Sequence, residues 1–419
     1  MINNAINIKK LPFIVYILFF ITSISFFFQP LLIRPFGIPL SFSMILVLNL
    51  VLILNVKKIK INEIIYLTSI GSILLVVDLL TPPELYRGFI FINMLLFTYL
   101  CSKFSLSKQQ SSVLWSSVFI ICFSLSLIGL KRWLFGYSVE NTENETGIAE
   151  NVRTYFYLGI SYMNSTRNSD VFYFGIPLIL SFMYYKNKLL KFKFFFLGIL
   201  LITSFCVLAS LSRGIIISIL LGYLLTTRAY VVNKNIYKYL LYLLAAIFLI
   251  YVFYDNLKAI PGVEFVVNLT VNGFISLFNP LQASFNLDSK YTYSNDERIR
   301  LYIESINTFL EFPFGLGVDN IPPGRIGNDK FILHSENVYL DFIISLGIFS
   351  IPCFLFIFDK LKNLYNLSKF HFESKKLYFL LLYILLYSLF CSATDLYYYW
   401  FILSLICMEY NSYITLKRN

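Results

Sequence analysis

Three arginines and one histidine carry the chemistry that this sequence offers. The stretch "FCVLASLSRGIIISILLGYLL" (205–225) sets Arg213 between two apolar runs, and "YSNDERIRLYIESINTFLEFPFGLG" (293–317) carries Arg298 and Arg300 at the start of a helical pattern. A charge inside hydrocarbon is costly, so Arg213 marks either a water-facing break between two spans or a deep charge with a purpose. The alternation of spans places "SLSRG" on a tight turn, with Gly214 expected to let the backbone reverse. In the second stretch Ser294 and Glu297 form an S-x-x-E capping box, and Ile299, Ile303, Ile306 and Leu310 share one helical stripe until Pro313 and Gly315 end it. Arg298 then lies in the first turn of a surface helix, where free amides and the helix dipole favour an anion. Taken alone, Arg213 reads as a snorkelling surface arginine; guanidinium forks match phosphate oxygens, so together with Arg298 and the nearby Arg300 it points instead to a shared phosphate site.

The third feature is "LHSENVYLDFIISLGIFSIP" (333–352). The chain has two histidines. His371 sits in a lysine-rich stretch, whereas His334 lies just ahead of an apolar segment. His334, Asn337 and Asp341 follow i, i+3, i+7 spacing and share a face if a helix begins at the histidine. Histidine can act as a base near neutral pH, and Glu336 beside it can do the same or tune it. The alternative for this stretch is an interfacial helix cap with ordinary hydrogen bonds.

The elements that must position these residues are apolar. Of the 419 residues 58% are hydrophobic, 19% aromatic and 14% charged, and the mean hydropathy is +0.72. Soluble domains carry about 25% charged residues, so the composition specifies an all-α polytopic membrane protein. About 20 apolar residues cross a bilayer core. Twelve segments qualify: 11–28, 36–55, 62–80, 88–104, 111–130, 170–185, 192–210, 214–229, 237–256, 337–358, 376–391 and 395–410. The opening "MINNAINIKKLPFIVYILFFITSISFFFQP" has the order of a signal peptide without a small-x-small cleavage site, and is read as an uncleaved first span.

Charge tests the count. Twenty-one of the 34 Lys and Arg residues fall in the segments on the side of the termini, including "NVKKIKIN", "KNKLLKFK" and "DKLKNLYNLSKFHFESKK". Positive residues stay inside, so both termini are expected in the cytoplasm. The net charge of +11 is then spread over short turns and forms no nucleic-acid-binding face. The six cysteines lie in or beside apolar stretches and form no C-x-x-C, which argues against redox or metal roles. The whole of 1–419 reads as one helical domain with two long outer segments, 131–169 and 257–336. Loops of that length in a compact fold are functional or disordered. The first, with "SVENTENETGIAENV", is acidic and polar, and the second holds the amphipathic helix.

The motif pieces together resemble the O-antigen ligase and polymerase superfamily of bacterial surface-polysaccharide enzymes. They are Ser212, Arg213 and Gly214 between two spans; Arg298, Tyr302, Pro313, Gly315 and Gly317 in the large outer loop; and His334, Asn337, Tyr339, Leu340 and Gly347 entering a span. Two departures stand out: Tyr302 occupies a position where tryptophan is frequent, and His334 is separated from Asn337 by Ser335 and Glu336 where many members have histidine and asparagine adjacent. The resemblance implies a membrane glycosyltransferase of the C-type fold, working without a cofactor at the outer face of the cytoplasmic (inner) membrane. Its donor and acceptor would be glycans on undecaprenyl diphosphate, with membrane lipids around it and a chain-length regulator as a further partner. Arg213, Arg298 and Arg300 would bind the diphosphate, and His334, or else Glu336, would serve as base. Tyr302, Asn337 and Tyr339 would contact the glycan, and the aromatic run "TDLYYYWF" (394–401) suits either stacking on sugars or a plain interfacial belt. The outer loops carry no D-x-D or clustered-carboxylate metal motif, which fits metal-independent transfer.

Within the superfamily the low-charge, Ile/Phe/Asn-rich sequence and the H-x-x-N spacing resemble repeat-unit polymerases more than ligases, which transfer finished O-antigen to lipid A core. A lipid-linked oligosaccharide flippase would show several charges within its spans, and here Asp78 is almost the only candidate. A solute transporter would show two repeated halves, and the long loops after the fifth and ninth segments are asymmetric. A non-catalytic scaffold is the remaining class.

Overall fold

The computed structural model describes residues 9–25, 40–56, 85–135, 168–186, 193–209, 213–228, 302–317, 324–326, 330–332, 337–369, 371–390 and 397–418. The helices among them are α1 (Phe13–Ser25), α2 (Leu40–Asn55), α3 (Leu85–Cys101), α4 (Lys108–Phe135), α5 (Asn168–Lys186), α6 (Lys193–Ala209), α7 (Arg213–Arg228), α8 (302–311), α9 (Val338–Leu346), α10 (Ile351–Ser368), α11 (Phe372–Tyr387) and α12 (Tyr397–Arg418). Ten of the twelve apolar segments fall on these helices, and 62–80 and 237–256 lie outside the described residues. Among the described residues two helical stretches, Lys108–Lys131 and Val338–Ser368, are long and apolar enough to cross a membrane, and five more apolar helices are shorter. Their outer faces present large apolar side chains, among them Phe13, Leu54, Phe194 and Leu201. A surface of that kind belongs in lipid, and the chain is an integral membrane protein.

Helices α11 and α12 form the centre. Every side chain from Lys376 to Ile384 and from Tyr398 to Asn411 is buried. Around α11 pack α5, α7, α10 and α12, while α12 also meets α3. Small residues permit the approach, as is common where helices associate in lipid. A Cβ on Gly175 would meet the Tyr383 hydroxyl at 2.3 Å, and one on Gly222 would meet Phe379 at 3.1 Å. Tyr383 stacks on Phe172 and donates to its carbonyl at 2.9 Å. Polar pairs tie other helices: Ser23 to Ser117 across α1 and α4, and Asn49 to the Asn93 carbonyl across α2 and α3, both at 3.0 Å.

The two ends of the bundle are distinct. At one end β1 (Lys9–Lys10) pairs in parallel with β2 (Phe104–Ser105). There Asn411 donates to the Ser102 and Phe104 carbonyls and Ser412 to Leu106, closing α12 onto the α3–α4 connection. Ser107 and Gln110 cap α4 reciprocally. This end also holds a buried charge cluster. Lys376 lies 2.7 Å from Glu373 and 3.9 Å from Glu409, and sits over the Trp115 ring. Glu409 in turn accepts from Trp115 and Tyr413. The stretch 359–375, expected as a connecting segment, is mostly helix: α10 runs to Ser368 and α11 starts at Phe372. Lys376, counted with that segment's solvated basic residues, is buried because two carboxylates and an aromatic face satisfy it.

Candidate functional site

The opposite end is organised by the last turn of α11. A helix leaves its final carbonyls without partners inside the helix, and here four groups from the motif segments take them up. Tyr339 Oη donates to Leu385 O at 2.7 Å, Val338 N to Ser388 O at 2.9 Å, and Tyr302 Oη and Asn337 Nδ2 both to Leu389 O, at 3.1 and 3.4 Å. Gly214, the second residue of α7, lies against Phe390, where a Cβ would come within 2.7 Å of the Phe390 Cβ. Segments that are distant in sequence thus meet at Leu389 and Phe390.

Asn337 links two helix ends at once. Its Oδ1 accepts from Tyr339 N at 2.9 Å and Leu340 N at 3.3 Å, capping α9, while its Nδ2 holds α11. Only a side chain with both an acceptor and a donor does this. Because Asn337 is the extended N-cap, the helix begins at Val338 and not at His334. The i, i+3, i+7 face expected for His334, Asn337 and Asp341 is therefore replaced by a cap.

The motif glycines form a second junction. The Val338–Ser368 stretch is broken at Gly347–Ser350 by a 3-10 turn, and the break is filled by the segment after α8. Leu316 N donates to Ile344 O at 2.9 Å, Gly317 N to Ser345 O at 3.1 Å, and Ile348 N to Pro313 O at 2.9 Å. Gly315 and Gly347 have φ of +91° and +58° and face each other. A Cβ on Gly347 would sit 2.2 Å from Pro313 O, and one on Gly315 2.4 Å from Ser345 O. No side chain fits either position, because the obstructing atoms are backbone. P-x-G-x-G and the glycine of the span are the two halves of one latch.

Two expectations change. Gly214 is helical and close-packed instead of reversing a turn: α7 starts at Arg213, and 210–212 lie outside the described residues. Tyr398, Tyr399, Trp400 and Phe401 do not present a stacking surface, since all are buried, Tyr399 and Trp400 against Phe172 and Phe342 respectively. Ring area of that size is more stable in the core than in water.

Of the predicted site residues, Tyr302, Asn337 and Tyr339 are brought together, each with a polar atom bonded to a carbonyl of Leu385 or Leu389. Arg213 is the first residue of α7, at the end of the helix whose free amides favour anions. His334, Glu336, Arg298 and Arg300 lie outside the described residues, as do Ser294, Glu297 and Asp78. Chain length still bounds three of them. At about 3.3–3.6 Å per residue, Arg298 is tethered within about 14 Å of Tyr302 and His334 within about 11 Å of Asn337, Cα to Cα. Glu336 adjoins Asn337 directly. Sequence reasoning missed Ser388, Leu389 and Phe390, the residues on which the pieces converge; as backbone carbonyl acceptors and a packing ring they have no signature in residue type.

Residues 198–355 match the family model described as O-antigen ligase. No curated protein matches the chain.

Proposed function

With an O-antigen ligase family domain at residues 198–355 as the premise, we propose that the chain is a glycosyltransferase that polymerises undecaprenyl-diphosphate-linked repeat units into a bacterial surface polysaccharide, O-antigen or capsule. The observation that carries this reading is the convergence at Leu389 and Phe390. The neighbour of Arg213, the residue four beyond Arg298 and the residue three beyond His334 all reach those two residues. In this reading twelve spans leave both termini in the cytoplasm of a multi-pass inner-membrane protein. The convergent end and the segments 131–169 and 257–336 then face outward.

An acceptor hydroxyl attacks the anomeric carbon of the lipid-linked glycan, and the bond from that carbon to the diphosphate breaks. His334 takes the hydroxyl proton, with Glu336 as second choice. Negative charge develops on the departing undecaprenyl diphosphate, where Arg213, Arg298 and Arg300 stabilise it without a metal. Tyr302, Asn337 and Tyr339 spend their polar atoms on backbone groups at helix ends, so their part is to position the segments that carry the arginines and the base beside the glycan.

The family description favours a second reading, the ligase that moves finished polymer to lipid A core. A deletion strain that makes lipopolysaccharide separates the two. The polymerase reading predicts single repeat units still attached to lipid A core and no longer chains. Loss of even single-unit attachment, with lipid-linked polymer accumulating, assigns the ligase instead. Unchanged polymer and unchanged attachment would remove the glycosyltransferase reading.

A further inference from the structure

The amphipathic helix α8 is turned the opposite way from one that packs on a protein. The side that carries Tyr302 and Ser305 meets the bundle: Ser305 is buried, and Tyr302 donates to the Leu389 carbonyl, while Asn307 and Glu311 are exposed. Its apolar stripe points away, with Ile303 54%, Ile306 51% and Leu310 69% exposed. The stripe does not stop at the helix end. Phe312 and Phe314 are also exposed, and Phe314 lies 6.4 Å from the Phe349 ring. From there the apolar surface passes to Ile348, Ile351, Leu355 and Phe358, the exposed face of the long membrane-crossing stretch Val338–Ser368. One continuous apolar surface therefore joins a short surface helix to a helix that already faces lipid. An amphipathic helix with this orientation lies in the membrane interface, its apolar side about 5–10 Å into the boundary of headgroups and acyl chains.

We propose that α8 is an interfacial anchor: Ile303, Ile306, Leu310 and Phe314 dock into the acyl chains of the outer leaflet, while the Tyr302 bond and the Gly315–Gly347 latch fasten the other side to the bundle. Only the choice of leaflet rests on the outward orientation proposed above. The anchor sets the depth of what precedes it. Arg300 and Arg298 lie two and four residues before Tyr302 in the chain, so a helix held at the headgroup level keeps both within reach of phosphate groups borne on lipid, and a water-soluble glycan phosphate gains nothing from that placement.

Spin-label accessibility on the full chain in lipid nanodiscs tests the anchor. Single cysteines replace Ile303, Glu304, Ile306, Asn307 or Leu310 in a background with Cys353→Ser and Cys391→Ser, and collisions with oxygen are compared with those of a water-soluble nickel chelate. Positions 303, 306 and 310 are expected to favour oxygen by several-fold over 304 and 307, with a helical period. Nickel access equal to oxygen access at all five positions overturns the proposal, because the stripe is then in water. Protection of 303, 306 and 310 from both reagents also overturns it, because a protein surface then covers the stripe. Brominated phospholipid should quench a fluorophore at Leu310, which serves as the second reading if labelling at Ile306 disturbs the fold. No glycan takes part, so the outcome is independent of whether the chain transfers sugars.

Discussion

Replacing Gly347 by alanine should open the latch without unfolding the bundle. The new Cβ would fall within 2.2–2.5 Å of Pro313 O, Phe314 C and Gly315 N, and none of these backbone atoms can swing aside. Gly347 also has φ +58° and ψ −138°, a conformation that costs an L residue about 1–3 kcal/mol. The way out is to give up the docking of 313–317. That forfeits the three hydrogen bonds from Leu316 N, Gly317 N and Ile348 N, which at about 1 kcal/mol each total about 3 kcal/mol. At 1.4 kcal/mol per factor of ten, exchange at those amides should quicken by about 100-fold. Hydrogen–deuterium exchange by mass spectrometry, on peptides covering 312–320 and 344–352, reads this directly. Gly315→Ala breaks the same junction, so the double variant should lose little more than either single one. Gly198→Ala is the control, since a Cβ there meets nothing within 4 Å. Both latch variants should accumulate in the membrane yet transfer poorly, because α8 is held at one end only. Unchanged exchange in Gly347→Ala, or full additivity in the double variant, would refute the latch.

Other outcomes follow from the same contacts. Asn337→Asp keeps the acceptor that caps α9 and loses the donor to Leu389, so it should impair transfer less than Asn337→Ala, which loses the cap as well at a cost of about 1 kcal/mol; thermal unfolding and polymer length measured side by side check the order. Arg213→Lys preserves charge but not the planar fork and should remain strongly impaired, and Arg213→Ala with Arg298→Ala should cost little more than the worse single change, as expected of groups that act as one unit. Glu409→Ala removes a carboxylate from the buried Lys376 and Trp115. It should lower stability by about 3 kcal/mol, read as a falling melting temperature in detergent, while the protein that stays folded keeps its transfer rate, since Lys376 is about 18 Å along α11 from Ser388.

Hydropathy located the helices because each had to bury or face lipid along most of its length. It was blind to the break at Gly347, where the apolar character of 338–368 continues unbroken and only the backbone changes course. Periodicity identified the stripe Ile303, Ile306, Leu310 correctly, and the structure supplied its direction, which depends on whether protein or lipid lies beyond. The motif glycines could be recognised but not paired, because a latch made of backbone hydrogen bonds leaves its partners unspecified by residue type. The buried state of Lys376 and of Tyr398–Phe401 depends on neighbours from other helices, which no local pattern records. Arg213 was legible as an exception within an apolar run, whereas Phe390, against which the adjoining Gly214 packs, lies 176 residues beyond that glycine in the chain.

The central claim is that this chain lengthens lipid-linked glycans with Arg213 and Arg298 gripping the leaving diphosphate. Purified protein in lipid, supplied with undecaprenyl-diphosphate-linked repeat units and no other enzyme, tests it most directly. The account predicts a ladder of products, lost in Arg213→Ala and Arg298→Ala at normal accumulation and slowed by about 10²–10⁴-fold in His334→Ala. A single unextended band from the intact protein, or a full ladder from Arg213→Ala, would contradict it.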